Sequence, residues 1–427
     1  MNRLAALLSI TIAQVCAGSQ AASPGKTVTA DAITRQTDRT LERLVALRRD
    51  LHANPEPSGQ EVRTAAVVTE RLRKLGLDVR KGPYGHSVVA ILRGGKPGKT
   101  VAWRSDLDAL KGYFLDPVPF RSRKTGVHHA CGHDIHIAIA LGIAEVLAGQ
   151  RAQLHGNVVF IFQPEEENFL GAKAMLDGGL FTSLPVDEIF GLHVTGLPVG
   201  QIAVRAGEMF AYQRRLRITL NDTLADGELQ LLGQLVLDTL TRKPPLASPR
   251  ELQRLVDPEV GVMSVRTTFK DYLIMEELRA TRTKPGTVSL EADLYETNAA
   301  KLGSILARVT QAVQSSGHEA QLLGVSFTRE NPTVINDATL TRSAVQAIEQ
   351  AYGADAVQLV HGAAPFFNDD FAYFQQQVPG VYFFLGGSNA GKGINAMNHS
   401  PDFAVDEESI RVGVRTFSAL IAARLLD

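Results

Sequence analysis

The densest concentration of chemically capable residues is the segment Gly126–His136, GVHHACGHDIH, with four histidines, a cysteine and an aspartate in eleven residues. Thiolate, imidazole and carboxylate are ligands for first-row metals, and thiolate with imidazole suits zinc best. Cys131 and His133 stand two residues apart, immediately before the apolar run IAIALGIAEVLAGQ of helical period. On a bend leading into that helix both side chains can turn toward one ion. The plainer alternative is a polar turn with a buried free cysteine and surface histidines. The short C-x-H spacing does not by itself separate the two.

The elements that must position these residues alternate between strand and helix. TLERLVALRRDL, from Asp38 to about Leu51, has helical spacing, and residues 22–37 read as a polar leader. LHANPEPSGQE breaks that helix, and EVRTAAVVTERLRKLG resumes helical period, with Gly76 as its stop signal. HSVVAILRGG, KTVAWRSDLDAL, GNVVFIFQPEEE and EIFGLHV are apolar runs of strand length that end in polar residues. This alternation predicts an α/β fold with a mixed, largely parallel sheet, in which ligands gather at the carboxyl ends of strands. Asp106, Asp108, Glu165, Glu166, Glu167 and His193 fall at such ends.

From about Gln213 to Arg329 the pattern changes to β-α-β-β-α-β, the order of a small ferredoxin-like α+β unit. After NPTVIND the first pattern returns, through NDDFAYF, the strand GVYFFLGG, NHSP and a closing helix. A discontinuous catalytic domain (38–212 and 330–427) with an inserted lid (213–329) is the simplest parse.

The 427 residues suffice for two domains, and a net charge of −1 with few aromatics points away from nucleic-acid or anionic-membrane surfaces. MNR, the apolar run LAALLSITIAQVCA and GSQAAS together predict a signal peptide over residues 1–21, with a mature start near Ala22. The expected location is therefore outside the cytoplasm, in the periplasm. Cleavage would leave Cys131 as the single cysteine, excluding an internal disulfide and favouring ligation of that thiol.

Taken together, Cys131, His133, Glu166, Glu167, His193 and His399 could hold two metal ions with five ligands, leaving one carboxylate free. Two ions about 3.5–4 Å apart can polarise a carbonyl, and a metal lowers the pKa of water to about 7. A nearby carboxylate can then take the proton. Isolated histidines such as His52, His86 and His318 read as surface or satisfied core residues.

The blocks HANPEPSGQE, RSDLDAL, GVHHACGHDIH, IFQPEEENFLGAKAM, LHVTGLPVGQIAVRAGEMFA, NDDFAYF and NHSPDFAVDEE resemble, in order, those of a metallo-amidohydrolase family. That family includes hippurate hydrolases, N-acyl-amino-acid amidohydrolases and auxin-conjugate hydrolases, and is related to aminoacylases and metallocarboxypeptidases. The resemblance implies a bridging thiolate at Cys131, further ligands at His133, Glu167, His193 and His399, and Glu166 as general base. It implies two divalent ions, zinc first, with manganese or cobalt as alternatives. Glu165 takes the variable place before the pair, Asp106 and Asp108 support the ligands, and Asp134 and His136 orient their neighbours. The expected substrate is an N-acyl amino acid or small peptide-like amide, and a homodimer is possible. A dipeptidase or carboxypeptidase is the nearest rival, and a metal-retaining binding protein is the alternative from another class.

The lid departs from that pattern. NDTLADGE stands where relatives carry a glycine- and histidine-rich segment, and no histidine occurs between His193 and His318. Candidate replacements for the missing donor are Arg266, Arg279, Arg282, His361 and Asn368. Alternation would place Tyr272, Ile274, Glu276, Leu278 and Ala280 on one strand face and Arg279 on the other. Apolar contacts and weak carboxylate recognition are the resulting expectation.

Overall fold

The computed structural model describes residues 28–246 and 249–426; the expected signal segment 1–21 lies outside them. The first helix starts earlier than its apolar pattern suggests. α1 spans Ala30–Ala53, capped by Thr29, whose side chain accepts a hydrogen bond from the Ala32 N–H. Ile33 and Thr37 are buried on the stripe continued by Leu44, Leu47 and Leu51, so residues expected in a leader belong to the core. Polar neighbours around a single isoleucine conceal that stripe in the sequence.

α2 follows at Val62–Lys74. The main sheet then builds from β1 (Asp78–Lys81), β2 (Val88–Arg93), β3 (Lys96–Asp106), β4 (His155–Gln163), β5 (Glu188–Pro198) and β6 (Ile202–Val204). It is completed late in the chain by strands at Gln358–Leu359 and Gly380–Ser388. β3 pairs in parallel with β4 and β5, and β5 pairs in parallel with Gly380–Ser388. β1–β2, β2–β4 and the pairing of Gly380–Ser388 with β6 are antiparallel, giving a mixed sheet with a parallel centre.

Against this sheet lies α3 (His133–Ala148), with every residue except Glu145 and Ala148 buried. A helix that is apolar on all sides belongs in a core. It packs on α1, on β3 and on the last helix, Glu408–Arg424. Each fully buried Leu or Ile contributes about 1.5–3 kcal/mol, so the start of α3, which carries His133 and follows directly on Cys131 and Gly132, is firmly anchored.

A second, antiparallel sheet is formed by β7 (Tyr212–Asn221), β8 (Leu273–Met275), β9 (Arg279–Lys284), β10 (Thr287–Glu296) and β11 (Leu322–Glu330). β7 is flanked by β10 and β11, and β10 also pairs with β8 and β9. With the helices Asp226–Leu240 and Ile305–Val313, this reproduces the split β-α-β-β-α-β order. Leu216, Ile218 and Leu220 of β7 bury one face against those helices. The other face carries the cross-strand ion pairs Arg215–Asp293 and Arg217–Glu291.

The expected continuous strand from Lys270 to Ala280 is broken between β8 and β9. Around β8 both faces are buried. Leu273 and Met275 enter the second sheet's own core, whereas Tyr272 and Ile274 join the core beneath the main sheet. The Tyr272 hydroxyl donates to the Ala363 carbonyl at 2.9 Å. The expected alternation thus holds over Tyr272–Met275, with both faces buried, and what fails is the continuity of the strand, which stops after Met275 and restarts at Arg279.

His52 is a satisfied core residue, as its isolation suggests. Its Nδ1 lies 2.8 Å from Asp134 and its Nε2 lies 2.8 Å from Asp116, while Arg48 Nε lies 2.8 Å from Asp134. This staple joins α1, the 112–126 segment and the first turn of α3. Burial lowers the His52 pKa, but Asp134 and Asp116 outweigh it and the net shift is upward. Asp116, against its own burial, is drawn down to about 2 by His52 and the Ser122 N–H.

A raised histidine stabilises the fold fully below its unfolded value of ~6.5 and loses that contribution as pH rises through the folded value. A depressed carboxylate stabilises above ~3.9 and loses its contribution as pH falls toward 2. Thermal melts at fixed metal loading should therefore show a stability plateau between about pH 4 and 6.5. In His52→Gln the decline on the alkaline side should be shallower than in the parent protein.

Candidate metal centre

Three loops and one strand deliver the donors. Gly132 precedes α3 in the left-handed region at φ 87°, and a Cβ there would come within 2.4 Å of Val194. Only glycine fits this bend, which turns the flanking Cys131 and His133 to one side. His193 lies in the middle of β5, not at its end as the sequence suggests. It is nevertheless open toward the site, because β3 leaves β5 after Trp103–Phe190 while Gly380–Ser388 continues alongside. His399 also has left-handed backbone, φ 60°. Its loop is held by Asn398, whose side chain donates to the carbonyls of Cys131 and Val194.

The donors converge. Cys131 Sγ is 3.3 Å from His193 Nε2 and 3.4 Å from His399 Nε2. His133 Nε2 lies 3.8 Å from both Glu166 and Glu167, and His399 Nε2 lies 3.8 Å from Glu167. Two groups of ligand atoms compact enough for an ion, Cys131–His133–His193 and Cys131–Glu167–His399, share the cysteine. The structure thus brings together all five expected ligands and Glu166. Glu165 does not join them: its carboxylate accepts from Tyr84 Oη at 2.9 Å, away from the cluster.

Neighbouring groups fix the ligand orientations. His133 Nδ1 donates to the Asp108 carbonyl at 2.7 Å and His193 Nδ1 to the Val194 carbonyl at 2.7 Å, leaving each Nε2 for the cluster. The Asp108 carboxylate accepts from Ser58 Oγ and from the N–H groups of Glu166 and Glu167. Both ring nitrogens of His136 are committed, Nδ1 to Asp106 and Nε2 to the Val194 N–H, so His136 is an orienting residue. Asp134 is likewise committed to Arg48 and His52.

Residues without an assigned role in the sequence complete the surroundings. Arg104 is fully buried and pairs with Asp106 at 2.7 Å, Asp369 at 3.0 Å and Asp370 at 3.1 Å. Gln163 donates to Asp370, and Tyr382 Oη donates to Asp369. Glu166, Asp369 and Asp370 lie close together at this position. One signal was legible: Arg104 stands two residues before Asp106 on β3, hence on the same face.

The donor set suits cations. His133 Nε2 and Glu167 Oε1 are buried without a hydrogen-bond partner, a costly state for polar atoms. Burial and the adjacent Glu167 and Glu166 push the Cys131 thiol far up. Burial, then Asp369 and Glu167, push Glu166 well above the carboxylate range, and burial lifts Glu167 to about 7. Burial lowers His133, but Asp106, Asp108 and Glu167 outweigh it and raise it to about 10. Bound cations reverse these shifts and favour thiolate and carboxylate.

The cluster opens into a cavity of about 510 Å³. Phe169, Phe210, Phe366, Phe367, Phe384 and Met397 supply much of its apolar wall, while Gln213, Arg329 and Asn331 reach it from the second sheet. Of the candidate replacements for the lid histidine, Asn368 lines this cavity; Arg266, Arg279, Arg282 and His361 do not. Arg266 pairs with Glu259 and Arg282 with Asp222 and Asp226. Arg279 is exposed on β9.

Comparisons with known proteins agree with this arrangement. The sequence model of peptidase family M20/M25/M40 matches residues 102–423. Thermostable carboxypeptidase 2 of Saccharolobus solfataricus is 31% identical over 388 residues, covering 88% of this chain and 94% of that protein. N-acetylcysteine deacetylase of Bacillus subtilis is 29% identical over 388 residues, covering 88% and 96%. Among solved structures, the Bacillus subtilis YXEP protein, described as a dinuclear metal-binding peptidase of the M20 family, superposes with a TM-score of 0.72. It is 27% identical and covers 91% of this chain and 99% of its own. The chain belongs to peptidase family M20/M25/M40. It is a metal-dependent hydrolase of the dinuclear amidohydrolase and peptidase type.

Metal analysis after dialysis should give about two ions per chain. His193→Ala touches one ligand group and should retain about one ion, whereas Cys131→Ala touches both and should fall below one. Equal losses in the two variants would contradict a shared thiolate.

Proposed function

We propose that the protein is an exported hydrolase of N-acyl amino acids or short peptide-like amides. Its two divalent ions, zinc first, would be held by Cys131, His133, Glu167, His193 and His399. The observation that carries this reading is the position of Glu166. It sits beside the five donors, lines the cavity, and has its backbone N–H tied to Asp108. When bound, the ions polarise the scissile carbonyl and make water acidic enough to ionise near pH ~7. Glu166 accepts the proton of the attacking water and returns it to the departing amine nitrogen. Asp108 keeps Glu166 and Glu167 in register, so one carboxylate moves protons while its neighbour binds metal. The exported location rests on the N-terminal sequence, and N-terminal sequencing of the mature protein should begin near Ala22.

Glu166→Gln preserves shape but cannot take the proton. Turnover should fall at least ~100-fold, the low end for positioned acid–base catalysis, with both ions retained. Glu167→Gln should instead lose metal. Titrating metal content and amine release in parallel separates the two; metal loss from Glu166→Gln alone would reverse the assignment.

The cavity revises the expectation of weak carboxylate recognition. Arg329, at the end of β11, pairs with Asp293 but leaves its buried Nε without a partner. Asn331 and Gln213 add amide donors beside it. This suits the free carboxylate of an acyl amino acid, and equally that of a dipeptide, as in the carboxypeptidase relative. The free acid should be cleaved in preference to its carboxamide. Arg329→Met should reduce that preference by about 10- to 100-fold, the range for a hydrogen bond to a charged group. Assaying acyl amino acids and dipeptides together, under equal metal loading, distinguishes the two substrate classes.

A further inference from the structure

The linker between the helix Asp226–Leu240 and β8 enters the cavity. It passes through 3-10 turns at Pro249–Val256 and folds back so that the Val262 N–H bonds the Leu255 carbonyl at 2.9 Å. Leu255 and Val262 are buried, and both line the cavity with Val256. The fold-back is tied to the main unit, because the N–H groups of His361 and Gly362 bond the Val262 carbonyl at 2.8 and 3.0 Å. Gly196 lies against it: a Cβ there would be 3.5 Å from Val256 and 3.0 Å from Met397. The linker is therefore a fixed wall bonded to the main unit.

The chemistry of that wall is uniform. Leu255, Val256 and Val262 stand in the cavity with Leu197, Phe210 and Phe384, and none of these side chains can hydrogen-bond a polar substituent. Burying an unpaired polar group there would be costly, whereas apolar surface is welcome. The donors Gln213, Arg329 and Asn331 provide for a carboxylate from the second sheet. A volume of about 510 Å³ falls within the range of pockets that enclose drug-sized ligands, roughly 300–1,000 Å³. An acetyl group would leave much of it empty.

We propose that the Leu255–Val262 fold-back is the end wall of an acyl pocket. The preferred substrates are then amino acids bearing a bulky apolar acyl group, aromatic or medium-chain, with a length limit set by Leu255 and Val256. The proposal rests on reading this cavity as the amide site.

The test is an acyl series on one amino acid, from acetyl through octanoyl and decanoyl, with benzoyl added, followed by amine release at fixed metal loading. The same series is titrated by calorimetry into metal-loaded Glu166→Gln, where binding is read without turnover. Affinity and kcat/KM should climb about fourfold per methylene to a limit and then fall. Val256→Ala should move the limit to longer chains and Val256→Phe to shorter ones. Acetyl bound as well as octanoyl, or a limit unmoved in both variants, would overturn the proposal. A length-dependent binding series with no cleavage by the parent enzyme would support the pocket and overturn the hydrolase reading instead.

Discussion

The site depends on one buried carboxylate, Asp108. Its two oxygens take hydrogen bonds from Ser58 and from the consecutive N–H groups of Glu166 and Glu167, while its own carbonyl fixes the His133 ring. One residue just beyond the end of β3 thereby sets the positions of the proposed base, of two donors and of the loop after β4. Burial and the His133 interaction oppose each other in its titration, and the net effect keeps it below its ordinary value. It stays an acceptor, which these donors require. A neutral Asp108 would lose acceptor capacity just where three donors converge.

Around it the charges do not balance by side chains alone. Asp106, Asp108, Glu166, Glu167, Asp369 and Asp370, with the Cys131 thiol, face the fixed cation Arg104 and an imidazole, His133, that is itself a ligand candidate. Arg104 is spent on Asp106, Asp369 and Asp370. The groups whose ionisation needs a counter-cation are thus gathered where the two ligand groups share Cys131. Divalent ions there satisfy orphaned donor atoms and remove the electrostatic penalty together. Left-handed backbone at His399 and Glu165 adds strain of about 1–3 kcal/mol each, held by the Asn398 side chain and by Glu61, which accepts from the Glu165 N–H.

What the sequence made legible follows from local rules. Strand ends carrying acidic residues, the glycine bend before an apolar helix and the split order of the second sheet can all be read from neighbours along the chain. The missed features depend on distant partners. Arg104 in a strand reads as a surface residue until Asp369 and Asp370, more than 260 positions later, are placed beside it. His193 reads as a strand terminus because the apolar run EIFGL stops there, whereas pairing with Gly380–Ser388 carries β5 on to Pro198. The lid arginines looked available because their acidic partners Glu259, Asp222 and Asp226 lie on other turns of the surface. Arg329 was overlooked because a charged strand end is ordinarily solvated, and only the cavity shows it facing inward.

The second sheet is more than a cover laid over a finished site. Gln213, Arg329 and Asn331 line the same cavity as Cys131, Glu166 and His399, so the second sheet forms part of its wall in this arrangement. The junction is a packed one: Tyr272 and Ile274 enter the core beneath the main sheet, and Tyr295 stacks edge-on against Phe366 at 4.8 Å between centroids. Edge-to-face aromatic contact and buried apolar area favour this arrangement over an open one. Any swing of the second sheet would expose those side chains and break the Tyr272–Ala363 hydrogen bond. The same swing would carry Arg329 away from the ligand cluster while the Leu255–Val262 wall, bonded to His361 and Gly362, stayed behind. The proposed carboxylate and acyl contacts are therefore mechanically separate: one moves with the second sheet and the other is fixed to the metal-bearing unit.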